Sequence, residues 1–277
     1  MANILVYGTG RLGRRITQLL LHEQFITKIY LYNRTYDKAE GIEIDLKDAC
    51  PQANISAIKS SKAINSSLDI IIFAASAYPT EERQSNPTNR GREWSYNASM
   101  VTAALDQLEP LVDSTNATTL VLTNPVDIIT DKLMQRLPRE KVFGIAGSLD
   151  EARHLAELER MGHIPEYFYL IGKNRAYTFF SDLPERIVSQ ATDNIYKRLQ
   201  RLIEIQGFAI EGSANETIKF LRQYFDDSIA ETHCSLFISS SEEMVEEKYR
   251  GTVICHPVLI GNKEIKARPI SISKNQH

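Results

Sequence analysis

The sequence predicts an α/β protein: an N-terminal doubly wound parallel sheet followed by an α+β region. Three observations predict it. Short β-branched runs alternate with helical patterns through the first half, the alternation that builds parallel sheets. Those runs are nearly all apolar, as expected of strands covered by helices on both faces. A glycine cluster stands between the first strand run and the first helical pattern, where a parallel sheet makes its first tight turn.

Taken in order, NILVYG is a strand and RLGRRITQLLLHEQ an amphipathic helix. KIYLYN is the next strand and DKAEGIEIDLKDA the next helix. DIIIFAA and TLVLTN are further strands, each followed by a helix, and KVFGIA closes the series. The second half changes character. It carries long charged helices such as PERIVSQATDNIYKRLQRLIEIQ and ends in strand-like runs, TVICHPVLIG and EIKARPISIS. The shift falls near Gly144 to Ser148 and divides the chain into an N-terminal domain, 1–146, and a C-terminal domain, 147–277. Neither internal repeats nor low-complexity tracts interrupt this pattern.

Composition removes several function classes. The 277 residues carry a net charge of -3, which offers no basic surface to nucleic acid. No apolar run is long enough to span a bilayer. The first apolar run leads straight into glycines and Arg11, unlike a secretory signal. Cys50, Cys234 and Cys255 are far apart, without a disulfide framework or a zinc spacing. These features predict a cytoplasmic protein with no metal.

Gly8-Thr9-Gly10-Arg11-Leu12-Gly13 is a GxGxxG following a strand and opening a helix. Glycines let such a turn close and let the backbone approach a pyrophosphate at the helix N-terminus. In this context the motif predicts a Rossmann dinucleotide site. The second strand ends at Asn33-Arg34-Thr35. An NAD site usually has Asp or Glu here for the ribose 2′-hydroxyl. Asn33 does not repel a 2′-phosphate, and Arg34 can pair with one. The expected cofactor is NADP, with NAD as the alternative.

From here the chain resembles the lactate/malate dehydrogenase family over most of its length. AEGIEIDLKDA is similar to the family's helix after the second strand, and TNPVDIITDKL to its TNPVD motif. The resemblance implies that Asn124 contacts substrate and nicotinamide. VFGIAGSLDEARH resembles the segment whose LDxxR run supplies an Asp and an Arg. These are Asp150, which would orient a proton-transferring histidine, and Arg153, which would clamp a substrate carboxylate through two parallel hydrogen bonds. Their spacing puts both on one face of a helix, for which Ser148 is the expected cap. Arg90 and Asn97 keep the spacing of the family's mobile-loop Arg and the Asn seven residues later; Arg90 would polarise the substrate carbonyl, with Arg83 and Arg92 as rivals. Gly207 and Thr217 match a Gly and a Thr on a helix that lines the substrate pocket. HPVLIGNKEI resembles a late strand and hairpin, and the family's final helix has no counterpart in the sequence. The resemblance further implies a homo-oligomer, a dimer or tetramer.

One position departs from the pattern. Where the family's GEHGD-type run carries its catalytic histidine, this chain reads Gly172-Lys173-Asn174-Arg175-Ala176. Asn174 does not titrate in the useful range, so it can donate a hydrogen bond but cannot act as general acid or base. His154 and His163 are expected to be structural or at the surface. Lys173, Arg175 and Tyr177 are the neighbouring candidates, and Asp150 is expected to pair with Lys173, Arg175 or a basic substrate group. Three functions fit. The first is an NADP-preferring reductase of a small carboxylate-bearing carbonyl substrate with an altered proton donor. The second is an imine (C=N) reductase. The third is a non-catalytic nucleotide-binding homologue with a regulatory or scaffolding role.

Overall fold

The computed structural model describes residues 1–64, 67–85, 90–173, 176–240 and 247–269. The first half forms β1 (Ala2–Tyr7), α1 (Arg11–Leu20), β2 (Ile26–Tyr32), α2 (Tyr36–Ala49), β3 (Ile55–Ile58) and β4 (Ile70–Phe73). It continues through α3 (Thr80–Ser85), α4 (Arg90–Thr115), β5 (Thr118–Val121), α5 (Val126–Leu133) and β6 (Val142–Gly144). These strands pair in parallel in the order β3-β2-β1-β4-β5-β6. The order reverses between β1 and β4, and ligands of such sheets bind in the crevice at the carboxyl ends beside that reversal.

Alternate residues of each strand enter opposite cores, which is why the runs are apolar throughout. Ile4, Val6, Ile29 and Leu31 pack with Ile16 and Leu20 of α1. Leu5, Tyr7, Tyr30 and Ile71 pack with Val101 and Leu105 of α4 on the other face. Burial of this kind is worth about 1.5–3 kcal/mol per large side chain and fixes the carboxyl ends of the strands as a rigid shelf.

The second half comprises α6 (Gly147–Arg160), β7 (Phe168–Lys173), β8 (Ala176–Ser181), α7 (Glu185–Gln206), α8 (Glu211–Phe225), β9 (Ala230–Phe237), β10 (Val253–Gly261) and β11 (Glu264–Ala267). Its strands are antiparallel and extend the same sheet. Gly144 of β6 pairs with Ser235 of β9, and the path runs on as β9-β10-β7-β8 with β11 on β10. Helix α8 also returns to the first half, where Ala214 and Ile218 join the core of α1.

Several details differ from the sequence expectations. β3 escapes a periodicity reading because Ser56 interrupts a run of only four residues, and β9 because Glu231, Thr232 and His233 dilute its apolar pattern. Ser148 does not cap α6: the N-cap is Ala146, and Ser148 lies in the first turn with its hydroxyl buried and without a hydrogen-bond partner among the described residues. Gly207 is not on the helix of Thr217. It ends α7 at φ +78°, and Thr217 follows on α8.

Candidate active site

The glycine loop joins β1 to α1. Gly8 sits at φ +103°, and a Cβ there would lie 2.3 Å from the Ala75 nitrogen, so the turn demands glycine. A Cβ on Gly13 would lie 2.0 Å from the Gly8 carbonyl oxygen, which lets α1 pack directly on the turn. Gly10 is different, since a Cβ there would meet nothing within 4 Å. It borders open space at the start of α1, whose first turn carries no acidic residue and no side-chain cap. The first amides of a helix have no internal acceptor, and the space beside them that a Cβ at Gly10 would enter is open, a candidate cradle for a ligand. A pyrophosphate would suit this donor set, and the amides following Gly10, on Arg11 and Leu12, would hold it.

The surrounding side chains are already organised. Asn33 donates from Nδ2 to Thr9 Oγ1 at 2.9 Å and accepts from the Thr35 amide at 3.0 Å, tying the end of β2 to the glycine loop. Arg34 is exposed and has no partner among the described residues. Thr35 is the N-cap of α2, without a side-chain cap bond. The Arg11 side chain turns away from the cradle, donating to Thr80 Oγ1 at 2.7 Å and lying over the Phe208 ring.

A second cavity, of about 110 Å³, opens at the carboxyl ends of β5 and β6. Asn124, Asp150 and Arg153 line it together with Arg83, Glu93 and Ser213. Asn97 braces the Asn124 backbone: Oδ1 accepts from the Ala77 amide at 2.7 Å, and Nδ2 donates to the Asn124 carbonyl at 2.8 Å. Helical spacing brings Arg153 and Asp150 together, with Nη1 donating to Oδ1 at 3.1 Å. The other carboxylate oxygen accepts from the Tyr177 hydroxyl at 3.0 Å. Among the described residues Asp150 therefore pairs with Arg153 and Tyr177 and not with Lys173; of the other expected partners, Arg175 lies outside the described residues and a basic substrate group is untested. Tyr177 reaches it because β8 folds back on β7, pairing Tyr177 with Gly172. Burial pushes the Tyr177 phenol well above its ordinary range, and the Asp150 carboxylate adds to the shift. The tyrosine stays a protonated donor.

Three arginines contended for the loop position. Arg83 enters the cavity, 3.4 Å from Glu93 Oε1. Arg92 pairs instead with Glu82 at 2.7 Å. Arg90 begins α4, and its side chain lies outside the described residues, as do Asn174 and Arg175. Thr217 stands apart from the cavity lining: it is fully buried and donates to the Ser213 carbonyl one turn earlier, at 2.7 Å. Ser213 occupies the lining in its place. The sequence reading did not single out Glu93 or Ser213. A buried glutamate in the first turn of a helix gives no periodic signal, and Ser213 is found by stepping four residues back along the face of Thr217.

No histidine lines this cavity among the described residues. His154 is buried, with Nδ1 2.7 Å from the Asp150 carbonyl and Nε2 3.0 Å from Thr192 Oγ1. His163 is half-buried beyond the end of α6. His233 accepts the Leu170 amide at Nε2, so its proton sits on Nδ1 and is donated to Glu151 at 2.8 Å. Burial lowers the His154 pKa, partly offset by its bond to the Asp150 carbonyl. Its folded value lies below the ordinary 6.5, so the stability held by the neutral ring is full above that pH and is lost as pH falls through the folded pKa. Unfolding midpoints taken between neutral pH and pH 5 should fall on acidification, and His154→Asn should flatten the fall. An equally steep fall in the variant would assign it to other groups.

A family model, described as lactate/malate dehydrogenase, NAD binding domain, matches residues 2–144. Malate dehydrogenase of Cytophaga hutchinsonii is 26% identical over 161 residues, 56% of this chain and 49% of that protein. Malate dehydrogenase of Thioalkalivibrio sulfidiphilus is 28% identical over 55% of this chain and 49% of its own length. The matches thus span about half the length of these relatives. L-lactate dehydrogenase 2 of Lactobacillus acidophilus aligns over 95% of this chain and 89% of its own length at 22% identity. Among solved structures, malate dehydrogenase of Plasmodium falciparum superposes with a TM-score of 0.84 at 16% identity, covering 99% of this chain and 92% of that one. The Aeropyrum pernix enzyme gives 0.81 at 19% identity, over 98% and 92%. These likenesses establish the shared fold.

Proposed function

Because the chain belongs to the lactate/malate dehydrogenase family, we propose that it is a nicotinamide-dependent oxidoreductase. Its substrate would be a small molecule with a polarised C=O or C=N bond next to a carboxylate. The observation that carries this reading is the meeting of Asn124, Asp150 and Arg153 in one cavity, from a strand end and a helix that follow different strands. Residues 1–146 would hold the dinucleotide and 147–277 would supply the substrate side. When bound, the nicotinamide supplies the hydride. Arg153 binds the carboxylate, Asn124 orients the ligand, and Arg83 or Arg90 polarises the double bond. Asn174 would donate a hydrogen bond where the family's pattern has a histidine, and Tyr177 and Arg153 hold Asp150 still. General acid–base help typically contributes about 10²–10⁴-fold, so pyruvate and oxaloacetate should turn over poorly. A rate within the usual enzymatic range of roughly 1–10³ per second with either would remove the altered-donor reading. The three unpaired cysteines suit a reducing cytoplasm, and a homo-oligomer follows from the family.

The preferred cofactor in this reading is NADP(H). Asn33 brings no carboxylate to repel a 2′-phosphate, and Arg34 beside it is exposed, with no partner among the described residues. Fluorescence titration should give tighter binding of NADPH than NADH. Arg34→Ala should erase most of the difference, about 1–3 kcal/mol for a charge-assisted contact. Equal affinities in the unmodified protein would return the assignment to NAD(H).

A further inference from the structure

The charged residues that line the cavity among the described residues are Arg83, Glu93, Asp150 and Arg153. They are two guanidiniums and two carboxylates, and each cation already has an anion: Arg153 donates to Asp150 at 3.1 Å, and Arg83 lies 3.4 Å from Glu93. Glu93 is 4% exposed, so its charge is felt inside the cavity more than in solvent. A plain keto or hydroxy acid would bring one negative charge into a lining that is already balanced among the described residues. It would have to draw Arg153 from Asp150 and leave that carboxylate with the neutral Tyr177 hydroxyl as its donor among the described residues, which is costly away from water. A ligand carrying both a carboxylate and a cationic nitrogen keeps the balance.

We propose that this cavity takes a zwitterionic 2-imino or 2-amino acid, its carboxylate on Arg153 and its nitrogen on the carboxylates Asp150 and Glu93. The inference rests on the carboxylate-site reading given above and narrows it to the C=N class. The chemistry balances without a protein acid. In an iminium the hydride of the reduced nicotinamide forms the new C–H bond, and the C=N π pair returns to nitrogen. The products are the amine and the oxidised cofactor. A keto acid needs in addition a proton for its developing alkoxide, and no imidazole lines the cavity among the described residues to give one.

The test is calorimetric binding to the full chain, alone and with saturating NADP+, using two matched pairs: L-alanine against L-lactate, and L-2-aminobutanoate against L-2-hydroxybutanoate. The amino acid of each pair should bind at least tenfold more tightly. Glu93→Gln should cut that ratio by tenfold or more. Asp150→Asn, at a less buried carboxylate, should do the same and carries the test if Glu93→Gln fails to fold. Hydroxy acids binding as tightly as their amino counterparts would overturn the zwitterion assignment and leave the carboxylate site standing. A preference for amino acids that neither folded variant alters would overturn the role of Asp150 and Glu93. No binding by any of the four acids would overturn the carboxylate site itself.

Discussion

Arg153→Ala is expected to weaken binding of small carboxylates by roughly 10- to 150-fold, or about 1.5–3 kcal/mol, as is typical of a hydrogen bond to a charged group, since Arg153 and Asp150 are half-buried. Two consequences add up. The ligand loses its guanidinium fork, and Asp150 loses the donor at Oδ1 and, among the described residues, keeps Tyr177 at Oδ2. Among the described residues the lining then holds one cation against two carboxylates and disfavours an anion. Arg153→Lys should recover only part of the loss, because an ammonium is a point charge and cannot offer two parallel donors. Dinucleotide affinity should be unchanged in both variants, since Arg153 stands on α6 and the glycine loop on β1–α1. The measurement is calorimetric titration with the carboxylate ligands used above. A loss below threefold in the alanine variant would place the carboxylate on another residue, Arg83 being the nearest rival within the lining.

Gly10→Ala and Gly13→Ala should separate cofactor binding from folding. The added methyl at position 10 meets nothing within 4 Å, so the melting temperature should stay within a degree or two. It does project into the cradle before α1, and dinucleotide affinity should drop by tenfold or more, about 1.4 kcal/mol. At position 13 the same methyl would lie 2.0 Å from the Gly8 carbonyl oxygen and 3.3 Å from Val6 Cγ1. Helix and turn must part, at about 1–3 kcal/mol or more for overpacking of this kind. That corresponds to several degrees in melting temperature for a chain of this size. If both variants lost stability alike, the open cradle at Gly10 would not exist in solution. If Gly10→Ala bound dinucleotide normally, the pyrophosphate would have to lie elsewhere.

Much of this protein is decided within short stretches, and those parts the sequence determined alone. The apolar runs of β1, β2, β4 and β5 state that both sheet faces are covered, and the structure divides them between two cores. The order of glycines in Gly8 to Gly13 states a tight turn before a helix. The three-residue spacing of Asp150 and Arg153 states a shared helical face, and the two side chains meet there. Each signal depends only on neighbours a few residues away. Others were decided by the tertiary structure. Tyr177 reaches Asp150 across 27 residues because the β7–β8 hairpin lies beside α6. Arg83 enters the cavity while Arg92 is drawn to Glu82, although both stand in the same polar stretch. Thr217 faces the core and leaves the lining to Ser213, a choice made by how α8 rotates against α1. The physical reason is that backbone periodicity is set by local sterics and burial. The partner of a charged side chain is set by which elements pack against each other, and that packing is a property of the whole core.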